Sequence, residues 1–440
     1  MNRISRRFSS SSTARWAWAL TLSALWTTSC GDDDPSPPMA GSDAGAAPRF
    51  AVVRSDFETT AIALLDSAAE VTEPSFLSSG SQAPGLVAPL SGDVVLASGG
   101  GEPGVLMVID RLGTDVLTRL DLSDGSVRGQ LRVAPGDFST NPQDLVSVDE
   151  TRAWVSRFSV NLDASAPPMD QANDVIEINP SAMTATGRRV SLASFDAEVS
   201  VMRDEGPQNA TAYARPSGLA RVGSTLAVGL ALLTVEFDGA ARGQLALVDV
   251  DTASLTAFEL PEPSRNCGSV QGVPGASDSV LVACSGFGRP FGNESQVRAS
   301  AGVYRIRLTG AAPEVVWSWE PRSAPDPVAV YNVVALGPDR FLGIAYGTFG
   351  ESGDEAFVID VGEGEATSLF KAASAFALGE AAFETDSRQL VLPDASDGSA
   401  GLRLYTEEAD GSFTAGAVRG FEDGPLPPRR VRSLPKGTSP

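Results

Sequence analysis

Short apolar runs punctuated by polar turns recur along most of this chain. From about residue 49 to 424 one phrase keeps returning. An apolar strand closes on an acidic or amide residue, a turn follows, and another strand begins. The strand ends fall at Asp66, Asp121, Asn179, Asp249 and Asp360, with Arg307 and Thr406 in the same places of two looser copies. An Asp or Asn at such a position accepts hydrogen bonds from the amides just beyond it and so fixes the turn. Each copy is preceded by a β-rich run such as RAWVSRF or SVLVACS, and most by a further one such as RPSGLARVG. A last run, such as TGRRVSL, closes the unit. The pattern predicts four short antiparallel strands per unit and seven units. No helical period of comparable strength interrupts it.

A lone four-stranded sheet would expose both faces, whereas sheets packed around a ring bury them. The expected fold is therefore all-β: a seven-bladed β-propeller of four-stranded antiparallel blades, with six or eight blades as the alternatives. The phrase NPQDLVSVDETRAWVSRFSV followed by VIEINPSAMTATGRRVSL resembles the YVTN-type propeller repeats of exported bacterial proteins. The resemblance is close for that unit and looser elsewhere. It implies a surface or periplasmic protein with a binding or scaffolding role. The first copy lacks a clear innermost strand. The basic, Pro-rich tail 425–440, with its run from Arg429 to Leu434, either supplies that strand and closes the ring or is a disordered tail.

The first thirty residues carry an address. Arg3, Arg6, Arg7 and Arg15 precede an apolar stretch from Trp16 to Trp26, too short to span a bilayer as a stable helix. Thr27-Thr28-Ser29-Cys30 follows and resembles the lipobox of bacterial lipoproteins, with Thr27 where Leu is usual. Residues 1–29 are expected to be a lipoprotein signal peptide and Cys30 the lipidated residue. Residues 30–48 are rich in Asp, Pro, Gly and Ser and read as a disordered tether. The expected location is the bacterial cell envelope, at the outer membrane or periplasmic face. There Cys267 and Cys284 are expected to form a disulfide, worth about 3 kcal/mol for a loop of about 15 residues. The alternative is a pair of buried thiols.

Composition then narrows the chemistry. The chain has no histidine, which excludes Ser-His-Asp triads, Cys-His pairs and HExxH zinc sites. Lys371 and Lys436 are its two lysines, so nearly all its cations are arginines. A net charge of −22 argues against nucleic acid as a partner. Of the six tryptophans, only Trp154, Trp317 and Trp319 lie beyond the signal peptide, so the docking repeats of quinone enzymes are missing and no cofactor is expected. Asp394-Ala395-Ser396-Asp397-Gly398 lacks the spacing of a calcium loop, and Gly99-Gly100-Gly101 lacks the lysine and helix of a phosphate loop. No metal site is expected.

In a propeller, the loop between the second and third strands of a blade opens on the same face as the link to the next blade. The long insertions, 159–173, 193–214, 231–243, 285–301 and 347–354, fall almost entirely in these classes. They make one face the candidate binding surface. It carries Arg157, Phe158, Asp163, Asp170, Arg203, Asp204, Glu205, Tyr213, Phe237, Arg289, Phe291, Asn293, Arg298, Phe349, Glu351 and Asp354. This mixture suits an envelope protein, a peptide or a glycan. The expected function is a monomeric, lipid-anchored, non-catalytic binding or scaffolding protein. The alternative is a hydrolase or lyase acting on a glycan through two funnel carboxylates, which needs no histidine.

Overall fold

The structure is a computed structural model that describes residues 47–99, 102–288, 293–310, 312–321, 330–348, 350–364 and 366–435. The chain separates into two units, Met1–Ala44 and Gly45–Pro440. All described residues lie in the second. Cys30, Arg289, Phe291 and Phe349 lie outside the described residues, as does most of the expected tether.

The second unit is a seven-bladed β-propeller of four-stranded antiparallel sheets. Blade 2 runs from Val94 to Arg132, blade 3 from Pro142 to Ser191, blade 4 from Pro216 to Glu259 and blade 5 from Ser269 to Trp319. Blade 6 runs from Val330 to Lys371 and blade 7 from Ala382 to Arg419. In each, the first strand is innermost, and the order inward to outward follows the chain. Blade 1 is composite. Its three outer strands, Phe50–Ser55, Thr60–Leu65 and Val71–Ser78, come from the start of the domain, and its inner strand, Pro428–Ser433, comes from the end. Phe50 pairs with Ser433 and Val52 with Val431, antiparallel.

The seven inner strands neighbour one another around a closed circuit. Seven apolar clusters fill the seven gaps between blades. Blades 3 and 4 meet through Trp154, Val175, Leu219 and Leu226, and blades 7 and 1 through Phe50, Val52, Val391 and Val431. Strands buried on both faces explain why runs such as AIALL are continuously apolar rather than alternating.

The turn chemistry follows the sequence in five units. Asp66, Asp121, Asn179, Asp249 and Asp360 each accept a backbone amide from the turn that follows. Asp121 accepts from both the amide (2.9 Å) and the hydroxyl (2.6 Å) of Ser123 and is paired with Arg128. The Ser123 hydroxyl and the Arg128 guanidinium hold its carboxyl down at about 2. A depressed folded-state value means that ionisation favours the fold. The contribution is complete above the ordinary carboxylate value and is lost as pH falls through about 2. Asp121→Asn should therefore unfold more easily at pH 7, by about 1 kcal/mol. Urea titrations at several pH values should show the gap closing on acidification, and a constant gap would assign the loss to geometry instead of charge.

Beyond the blades stands one extra sheet. The link between blades 3 and 4 forms a hairpin, Ala197–Arg203 and Gly206–Tyr213. Leu233–Thr234, from the loop inside blade 4, adds a third strand, pairing Leu233 with Tyr213. Two insertions expected to share a face thus hydrogen-bond to each other.

Candidate functional site

The ends of second strands and the starts of inner strands lie at one end of every blade, as pairs such as Pro142 with Arg157 show. That end carries the insertions, and the central channel opens through it. Cys267, just before the inner strand of blade 5, is bonded to Cys284, near the end of its second strand. Both are fully buried. The bond clips the base of the 285–301 loop to the inner strand beside the channel. Within that loop Glu294–Ser300 is helical, and Asn293 caps it by accepting from the Gln296 amide at 3.1 Å.

The residues singled out on the insertions divide into three groups. Arg157 and Asp354 are not surface groups, which corrects the expectation for both. Each is enclosed because it ties a loop to the scaffold. Arg157 makes a two-pronged pair with Asp174 at 2.8 and 2.7 Å and donates to the carbonyls of Val133 and Met169. Asp354 accepts from the amides of Gly347, Phe376 and Leu378, each at 2.9 Å. Asp170, half-buried, accepts from the Gly136 amide at 3.0 Å.

A second group sits on the extra sheet and the loop tips. Arg203 pairs with Asp238 at 2.8 Å, and Arg298 with Glu294 at 2.9 Å. Asp163, Asp204, Glu205 and Glu351 are exposed, and Tyr213 is half-buried. Third, Phe158 and Phe237 flank one cation, the guanidinium carbon of Arg215 lying 5.1 and 4.5 Å from their ring centres. Phe158 also reaches the channel wall.

The channel itself is a cavity of about 910 Å³ walled by blades 1 to 6 and by the link that leads into blade 7. Three carboxylates line it, Asp93, Asp144 and Glu380. Asp144 accepts from the Ser98 hydroxyl at 2.5 Å, the Ser98 amide at 3.0 Å and the Leu219 amide at 2.8 Å. Burial raises its pKa, and those bonds with the Arg432 charge oppose the rise. Glu380 is paired with both Arg430 and Arg432, and Asp93 with Arg111. No two of these acids stand free and facing each other, the arrangement that glycosidase chemistry needs.

Arginines outnumber acids at the mouth. Arg430 and Arg432, two apart on the inner strand of blade 1, point to the same side of that strand. Burial pushes the Arg430 guanidinium down to about 9, with Arg111 and Arg432 adding like-charge repulsion. It stays charged at neutral pH. Arg429 donates to the carbonyls of Ser55 and Phe376 and lies 4.7 Å from the Phe57 ring centre. Among the described residues it has no carboxylate within ion-pair range.

Aromatic rings complete the mouth. Tyr331 stacks on Tyr346 with ring centres 3.5 Å apart, and Phe376 leans on Tyr346 at 4.9 Å and 50°. Phe57, Phe376 and Tyr346 are 68, 50 and 45% exposed, large values for such apolar surface beside a channel. Phe57 and Phe376 also hold positive φ, 70° and 61°, a conformation that bulky side chains seldom adopt. Strain kept together with apolar exposure is a mark of functional surface.

None of these mouth residues stood out in the sequence. Tyr346 opens the loop inside blade 6, Phe376 sits in the Ala-rich link to blade 7, and Arg429-Arg430 is too short to read as a basic patch. The one signal was placement at the start of an inner strand or the end of a second strand.

Comparison with solved structures points the same way on architecture. A candidate 6-phosphogluconolactonase from Bacteroides fragilis matches over 90% of this chain and 100% of its own, at a TM-score of 0.54 and 8% identity. A protein from Lactobacillus plantarum matches over 88% and 99%, at 0.53 and 12%. The likeness is one of fold. At such identities it extends to the propeller and to nothing finer. No family model matches the sequence, and no curated protein matches it.

Proposed function

We propose that this chain is an exported, lipid-anchored β-propeller of the bacterial envelope that binds its partner without catalysis, through the insertion face and the channel mouth. The observation that carries the reading is the state of the channel carboxylates. Asp93 and Glu380 are neutralised by arginines, and Asp144 is spent on Ser98 and backbone amides. That leaves no described pair at the mouth to act as acid and nucleophile or base. The exposed rings of Phe57, Tyr346 and Phe376 give the same face a recognition surface. The buried Cys267–Cys284 bond fits an oxidising compartment.

Affinity capture of cross-linked envelope material tests this. The intact protein should enrich a defined set of molecules that a version shortened in 193–214 and 285–301 loses. An identical set from both would sink the reading. So would glycan cleavage by the purified protein that disappears in Glu380→Gln. For the anchor, palmitate labelling should vanish in Cys30→Ala, and labelling that persists would refute it.

A further inference from the structure

The channel mouth differs in sign from the rest of the molecule. The chain carries a net charge of −22, yet Arg111, Arg429, Arg430 and Arg432 line the mouth against three carboxylates, Asp93, Asp144 and Glu380. Asp144, deeper in the wall, has its oxygens taken by Ser98 and backbone amides. Like charges gathered in a narrow, protein-walled space repel one another, because little water screens them. An anion entering the mouth relieves that repulsion.

A bare oxyanion would use only the arginines. The mouth offers more. Phe376 and Tyr346 keep 50 and 45% of their surface exposed beside the arginines, Tyr331 covering one face of Tyr346, and the Tyr346 hydroxyl is within electrostatic reach of both Arg430 and Arg111. Their 50° tilt leaves no parallel slot for a flat base or aromatic acid. Such a slope suits the C–H face of a puckered sugar ring. Of the polar side chains on the channel wall, Ser55, Gln143 and Asn266 are engaged by Gly92, by Arg111 and Asn141, and by Ser285, and Asn332 on the inner strand of blade 6 adds a further amide. An amide of that kind matches a saccharide hydroxyl. A volume of about 910 Å³ lies within the range that admits a ligand of several sugar units.

We propose that the channel mouth is a binding site for an acidic saccharide, with a uronate carboxylate directed at Arg430 and Arg111 and its ring laid against Tyr346 and Phe376. This rests on the non-catalytic binding reading above and names its ligand class.

Calorimetric titration of the purified full-length protein with trigalacturonate tests it, with the neutral galactose trimer, inorganic phosphate and uridine monophosphate as comparison ligands. Trigalacturonate should bind at least tenfold more tightly than any of the three. Arg430→Gln should weaken it tenfold or more, and Tyr346→Ala about three- to tenfold, with far-UV circular dichroism unchanged. Glu380 keeps Arg432 as a partner in the first variant, and Tyr346 lies at the surface, so at least one of the two is expected to fold. Equal binding of acidic and neutral trimers would overturn the inference, as would phosphate or the nucleotide binding as well as trigalacturonate. An affinity indifferent to both substitutions would also overturn it. Capture of a protein partner that depends on the insertions, with no saccharide binding, would leave the binding reading standing and this inference refuted.

Discussion

Removing residues 428–440 should abolish the cooperative fold or lower its melting temperature by more than about 10 °C. The strand Pro428–Ser433 is the inner strand of blade 1. Val431 is buried between blades 7 and 1, and Leu434 joins the cluster between blades 1 and 2. Each loses about 1.5–3 kcal/mol of burial when the strand is gone. Phe50 and Val52 lose their cover, and the backbone of Phe50–Ser55 becomes an open edge. Arg430 and Arg432 leave together, stranding Glu380. In a domain this large each kcal/mol shifts the midpoint by roughly 1–2 °C, so the summed loss of burial, ion pairing and ladder bonds carries the transition down by about 10 °C or more. Differential scanning calorimetry of the shortened chain measures the shift. A peptide spanning residues 426–435, added in trans, should recover part of it. An unchanged transition would mean that the ring closes without this strand.

Arg157→Ala should cost about 3–5 kcal/mol, among the largest effects of any single side chain in the domain. Arg157 and Asp174 are both fully buried. The guanidinium satisfies both carboxylate oxygens and two backbone carbonyls, including that of Met169 in the insertion. Alanine leaves the Asp174 charge with Arg189 as its remaining partner and leaves both carbonyls bare. Arg157→Lys should recover little, because an ammonium cannot match the fork geometry. Urea unfolding measures both variants. A loss below about 1 kcal/mol would show that Arg189 and water replace the pair.

These two residues illustrate why the site was harder to read than the fold. Arg157 and Arg430 look alike in the sequence, each an arginine within a short strand. Arg157 faces the gap beside blade 2, where a backbone carbonyl at Val133 and the Asp174 carboxylate wait for it. Arg430 faces the lumen, where Glu380 answers one guanidinium but must serve two. Nothing local distinguishes them, since the partners lie well beyond the neighbouring residues, Asp174 17 positions from Arg157 and Glu380 on a blade link apart from Arg430. The same holds for Asp354, whose loop-tip position in the sequence suggested exposure. Its three amide partners come from its own loop and from the link to blade 7.

The sequence by itself determined the blade. Strand length, the apolar run and the acid at the strand end act within a few residues, so the seven units and their turns were legible without any partner. The insertions too were legible, being departures from a regular period. Only the tertiary structure decided how the ring closes, because the pairing of Phe50 with Ser433 joins opposite ends of the domain and competes in sequence with a plain basic tail. It alone also created the channel mouth. Arg111, Tyr346, Phe376 and Arg429 come from four different blades and links, each unremarkable where it stands. Closing the ring brings them together, because every inner strand must begin at the same end of the channel.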